Sequence, residues 1–251
     1  MAAPAVLAGL LAGCGASTIP SVHSEGERLE KGRRALERRE YNVAIELLKS
    51  YVANNAGGAD VDQAIELLGE ANLGIKEWAE AQGQFERVLR DYPESDSAAA
   101  ASYRLGQALW GQSRGPAFDQ EYTEKALAQW ESYLRSYPGH WQNAAAETRV
   151  QLARERLADK LARAGRLYLK LGRTGPARVY FQRVLRDYAA TAVAADAELG
   201  LALTDAREGK RNEAMAALRE IQSRFAGRSV AERAARELAV LERQAAKHQK
   251  K

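Results

Sequence analysis

The chain is poor in the residues that most often carry chemistry or covalent reinforcement. Its 251 residues include one cysteine, three histidines and six prolines, and aromatics make up only 7%. A lone cysteine forms no internal disulfide, so thiols do not hold this fold together. The histidines, at 23, 140 and 248, are scattered, and no Cys or His pair has metal-ligand spacing. There is no glycine-rich phosphate loop and no Gly-x-Ser-x-Gly elbow. An enzyme reading therefore has no residue set to rest on, and no cofactor or metal is implied. Long apolar runs are absent as well. The longest opens the chain, about thirteen small and apolar residues ending at Cys14, and a bilayer span needs about twenty.

One-signed charge is also scarce. The formal net charge is +4, and the stretch from Arg228 to Lys251 holds seven Lys or Arg against three Asp or Glu, which accounts for the whole excess. The rest is balanced and lacks the concentrated basic face of a nucleic-acid binder. What is plentiful is Ala, Leu, Arg and Glu. With 46% apolar content this is the profile of a helical protein with a real core.

The helical body repeats. Alanines at 44, 81, 126, 177 and 214 are each followed four residues later by Leu48, Phe85, Trp130, Phe181 and Leu218. Seven residues after each stand Tyr51, Val88, Tyr133, Val184 and Ile221. Offsets of 0, 4 and 7 share one helical face. Twelve residues upstream of four of the alanines are Gly32, Gly69, Gly165 and Ala202, small residues that let another helix approach closely. This pattern resembles the tetratricopeptide (TPR) repeat, a helix–turn–helix unit of about 34 residues. The resemblance implies an all-α, right-handed solenoid of five repeats, at about 25–58, 60–95, 97–139, 141–189 and 191–226. A capping helix with a basic tail follows at 228–251.

Two repeats carry extra residues. Gly106 lies twenty residues before Ala126, and the surplus falls in "GQSRGPAFDQEYT", rich in turn residues. In the fourth repeat the surplus precedes the glycine, and the pattern predicts one helix from about 142 to 171. The aromatic positions Phe85, Trp130 and Phe181 read as core. Glu66 and Glu70 share a helical face and read as a solvated salt-bridge face.

Leu11-Ala12-Gly13-Cys14 is similar to the lipobox of bacterial lipoproteins. That resemblance implies a signal peptide over 1–13, cleavage before Cys14 and acyl chains on the cysteine. Gly15 is compatible with transfer to the outer membrane, and residues 14–24 form a flexible tether. Lipobox, repeats, the insertion with Asp119, Gln120 and Thr123, and the Tyr168-Leu169-Lys170 element before Gly172 together resemble the BamD family. These are the tetratricopeptide lipoproteins of the machinery that folds β-barrels into the bacterial outer membrane.

The resemblance implies a non-catalytic scaffold anchored in the outer membrane on its periplasmic face. Its partners would be the periplasmic domains of the central barrel protein BamA, other lipoproteins of the machinery and unfolded β-barrel proteins. Another lipid-anchored periplasmic TPR scaffold, a pilus-assembly pilotin or a cell-wall-enzyme adaptor, is the alternative. Repeat positions that line the concave face of tetratricopeptide arrays fall on Leu29, Arg33, Leu36, Glu66, Glu70, Leu73, Tyr103, Gln107 and Trp110. Of these, Arg33, Leu36, Glu70, Leu73, Tyr103, Gln107 and Trp110 are the peptide-groove candidates. Arg207, Lys210, Arg211 and Arg228 crowd the turns of the basic C-terminal end and are the partner-docking candidates.

Overall fold

A computed structural model describes residues 20–249, which form eleven α-helices, with no strand among the described residues. In order they are α1 (Glu25–Glu37), α2 (Tyr41–Asn54), α3 (Val61–Gly74), α4 (Trp78–Asp91), α5 (Ser97–Gln112), α6 (Glu121–Ser136), α7 (Asn143–Lys170), α8 (Thr174–Asp187), α9 (Val193–Arg207), α10 (Arg211–Arg224) and α11 (Ser229–Gln249). None of them is long and apolar enough to cross a membrane. The chain divides into two compact units at Ser97: α1–α4 build the first, and α5–α11 belong to the second.

The helices start and stop for local reasons. Ser24 caps α1, its hydroxyl accepting from Glu27 N–H at 3.2 Å, and Glu27 in turn accepts from His23 N–H at 2.7 Å. The corner inside four repeats closes in the same way. The amides of Glu40, Glu77, Arg173 and Lys210 reach back to Ala35, Asn72, Tyr168 and Asp205 carbonyls at 2.8–3.0 Å. This six-to-one bond requires the preceding residue to be left-handed. Gly172 (φ 74°) and Gly209 (φ 84°) supply that in the second unit, but Arg39 (φ 61°) and Lys76 (φ 64°) must adopt it in the first.

Packing explains the repeat marker. Each small residue of the first helix receives the large residue of the second. An added Cβ would come within 2.9 Å of Leu48 at Gly32, 2.6 Å of Phe85 at Gly69, 2.3 Å of Trp130 at Gly106 and 2.7 Å of Phe181 at Gly165. In the fifth repeat Ala202 and Leu218 share one core cluster. Phe85, Trp130 and Phe181 are fully buried, as a core reading requires. The insertion before α6 leaves the Gly106–Trp130 pair intact, so the extra residues loop out without breaking the repeat contact. Phe181 is gripped twice, because Gly200 of α9 presses on the same ring.

α7 matches the single long helix that the pattern predicts, with 28 residues between Gln142 and Leu171. One reading of the sequence needs correction. Glu66 is not on a solvated face: it is only 6% exposed, buried within α3 beside Ile65 and Gly69.

Candidate partner-binding surfaces

The two places where the chain departs from its repeat period meet in the second unit. The loop 113–120 between α5 and α6 is built around Gln120, which is 3% exposed. Its side-chain amide nitrogen lies 2.9–3.3 Å from the carbonyls of Arg114, Gly115, Phe118 and Asp119, which share its two N–H donors and gather the loop around one nitrogen. The Asp119 carboxylate accepts from Glu121 N–H at 2.8 Å, which satisfies an amide at the start of α6.

A directional relay ties this loop to α7. The hydroxyl of the fully buried Thr123 donates to Gln120 Oε1 at 2.8 Å. A hydroxyl has one hydrogen, so Ser113 is the donor in its 2.5 Å contact with Thr123. Ser113 Oγ accepts in turn from Arg156 Nη1 of α7 at 2.9 Å. The Arg156 guanidinium lies 3.6 Å over the Trp110 ring, and Trp110 packs on Trp130 at 6.0 Å. One turn further along α7, Lys160 Nζ donates to the Phe118 carbonyl at 2.6 Å. Burial pushes the Arg156 guanidinium below its ordinary pKa, with no carboxylate within ion-pair distance among the described residues to offset it. Stacking on the indole face is what compensates a cation in this position.

The groove candidates divide by burial. In the first unit Arg33 is half-buried and donates to Gln63 Oε1 of α3 at 2.6 Å, and Leu36, Glu70 and Leu73 are half-buried. Leu29 is buried. In the second unit Gln107 and Trp110 are half-buried. Tyr103 is 6% exposed, packs on Tyr133 at 5.7 Å, and its carbonyl accepts from Trp130 Nε1 at 3.2 Å. It is a packing residue, because the aromatic at this position fills the seam between α5 and α6. Burial raises the Tyr133 phenol, the nearby Tyr103 adding to the shift, and its hydroxyl meets His140 Nδ1 at 2.7 Å.

The C-terminal candidates are engaged to different degrees. Arg207 Nη1 donates to the Leu169 carbonyl near the end of α7, which also accepts from Gly172 N–H at 3.0 Å. Lys210 pairs with Glu208 at 2.9 Å within a network in which Arg178 holds Asp205 and Glu208 at 2.7 Å each. Arg228 is exposed, with its guanidinium 5.3 Å from the Phe225 ring, and Arg211 is half-exposed at the start of α10. Cys14 lies outside the described residues. Arg156, Lys160 and Ser113 were missed by sequence reasoning. The one available signal was that insertion and lengthened helix are both departures from the same repeat.

These features define a helical-repeat protein of tetratricopeptide type in which one repeat insertion is cross-braced to an elongated helix. Residues 23–216 match the family described as YfiO, outer membrane lipoprotein, and the chain belongs to that family. A curated relative, the outer membrane protein assembly factor BamD of Caulobacter vibrioides, is 27% identical over 223 residues, covering 85% of this chain and 73% of the relative. The protein is thus an outer-membrane assembly lipoprotein of BamD type. Among solved structures, a TPR repeats protein from Bacteroides fragilis is similar with TM-score 0.47 at 14% identity, covering 87% of this chain and 99% of that one. The TPR2AB domain of yeast Sti1, in its pHSP90 complex, is similar with TM-score 0.44 at 12% identity, covering 90% of this chain and 86% of that one.

Proposed function

We propose that the protein is a non-catalytic scaffold, lipid-anchored through Cys14 on the periplasmic face of the outer membrane, that helps assemble β-barrel proteins. It binds the periplasmic domains of BamA, other lipoproteins of the machinery and unfolded barrel substrates. The observation that carries this reading is the family match over residues 23–216, which spans most of the described helices. The physical features support it. Helix–turn–helix units present half-buried polar and apolar side chains together, which suits extended polypeptide. The C-terminal end offers Arg211 and Arg228 for docking, since Lys210 and Arg207 are engaged within the molecule.

Two experiments test it. Cys14→Ala is expected to leave the fold intact and release the protein from membranes, because burying acyl chains contributes about 0.8 kcal/mol per CH₂. Retention on membranes stripped of protein partners would count against the anchor. Purification in mild detergent should bring down a large barrel protein, and Arg211→Glu with Arg228→Glu should slow its association in a salt-sensitive way. Wild-type association rates in that double variant would remove the C-terminal docking site.

A further inference from the structure

The brace between insertion and α7 leaves a line of cations on the helix that the assembly role has not used. Arg149, Arg156 and Lys160 follow one another at steps of seven and four, which keeps them within about 40° around the helix. All three are half-buried. Leu152, 42% exposed, stands between the first two, and Trp110 lies beneath the Arg156 guanidinium. At the far end, Lys160 is joined to the insertion residue Phe118, whose ring is 50% exposed with the Arg114 guanidinium 4.0 Å above it. Of the other cations of this helix, Arg154 pairs with Glu131 at 2.7 Å and Arg163 and Arg166 share Asp159 at 2.7 and 3.2 Å, while Lys170 is exposed at the C-terminal end, away from the stripe. Among the described residues, Arg149, Arg156 and Lys160 have no carboxylate within ion-pair distance.

We propose that this stripe, from Arg149 through Leu152, Arg156 and Trp110 to Lys160 and Phe118, is a docking site for an extended polypeptide segment in which acidic residues alternate with apolar ones. Eleven residues of helix are about 16 Å long, which an extended strand covers with about five residues at about 3.3 Å each. Strand side chains alternate in direction, so a strand lying edge-on along α7 turns its carboxylates to the cations, where Leu152 and Trp110 flank them, and its apolar side chains to the insertion side, where Phe118 is exposed. A carboxylate brought to Arg156 supplies the charge partner that the fold withholds. Arginine and tryptophan clustered in a partly desolvated setting are what binding hot spots consist of. The recess of these side chains selects a single chain over a flat bilayer, which meets only protruding cations. The site goes beyond the assembly role and does not depend on it, since any protein presenting such a segment would satisfy it.

The test uses the full chain in mild detergent and a fluorescein-labelled octapeptide alternating aspartate with phenylalanine, blocked at both ends. Anisotropy should show at least about tenfold tighter binding than to the same peptide with lysine for aspartate, and the preference should shrink as salt is raised. Arg156→Gln should weaken binding about tenfold. Because Arg156 also braces the insertion, a second variant, Arg149→Gln with Leu152→Gln, is measured beside it. Those two side chains make no hydrogen bond or ion pair among the described residues, and the pair should weaken binding about threefold with an unchanged melting temperature. Equal affinity for the acidic and basic peptides, or wild-type affinity in the Arg149→Gln, Leu152→Gln protein, overturns the proposal. So does binding of phosphatidylglycerol vesicles that these substitutions abolish in a protein that ignores the peptide.

Discussion

The first unit is the more regular of the two, and the second is where the chain departs from its repeat period. In α1–α4 the alanine markers stand 37 residues apart and each Gly–large pair closes at the same offset. In the second unit the same notch survives, yet the chain between Gly106 and Trp130 is eight residues longer and α7 is twice the length of α8. The regular unit keeps the same packing geometry in both of its repeats, and even tolerates Arg39 and Lys76 at left-handed corners. The irregular unit joins its two surpluses through Arg156 and Lys160. Repetition thus supplies stability, and departure from repetition supplies a surface with unmatched charge.

The largest expected effects come from the notch residues. Phe85→Ala and Phe181→Ala should each cost about 3–5 kcal/mol in urea unfolding. Phe181 should stand at the upper end, since glycines of two helices close on its ring. Hydrogen exchange should show the first substitution loosening α3 and α4 and the second loosening α7 through α9. Equal, small losses in both would mean that the notch is not what stabilises either unit.

The relay belongs to the irregular unit alone. Thr123→Val keeps the shape but strips the donor from Gln120 Oε1 and the acceptor from Ser113, and should cost about 1–3 kcal/mol. Amides of 113–120 should exchange faster while those of α1–α4 stay unchanged. Protection that persists in the loop would show that Gln120 holds it without the relay.

The corners sharpen the comparison from the other side. Arg39→Gly and Lys76→Gly should stabilise the protein by about 0.5–1 kcal/mol each, because glycine enters the left-handed region without the Cβ penalty. Gly172→Ala and Gly209→Ala should destabilise it by about 1 kcal/mol, since nothing but backbone conformation opposes the added methyl. Melting temperatures of the four variants would decide it, and a destabilised Lys76→Gly would point to a contact made by that side chain.

The smallest effect is on pH. Lys210, then Arg178, holds the Glu208 carboxyl below its ordinary value. Its contribution is present above the ordinary carboxylate pKa and is lost as pH falls through the depressed folded value. Glu208→Gln should therefore melt less steeply with falling pH between about 5 and 3 than the parent. The group is exposed, so the difference should be slight and should vanish in high salt. Parallel pH profiles for the two proteins would show that this corner does not couple to folding.

Much of this protein was determined by sequence alone, because the repeat is a local code. A small residue, an alanine and a large residue at steps of 3.6-residue periodicity specify which helix faces meet, and α7 ends where its pattern ends. Depth of burial was not legible. Leu29, Glu66 and Tyr103, three residues before their small-residue markers, are enclosed, whereas Leu36, Leu73 and Trp110, four after them, are half-buried. Periodicity names a face of one helix but not how deeply the next helix covers it. The brace was further out of reach. Ser113 and Arg156 are 43 residues apart, and Trp110 with Arg156 reads in sequence as an aromatic and a surface cation. Only the packed helices bring guanidinium, indole and hydroxyl within contact, since that meeting depends on where two separate surpluses of chain come to rest in space.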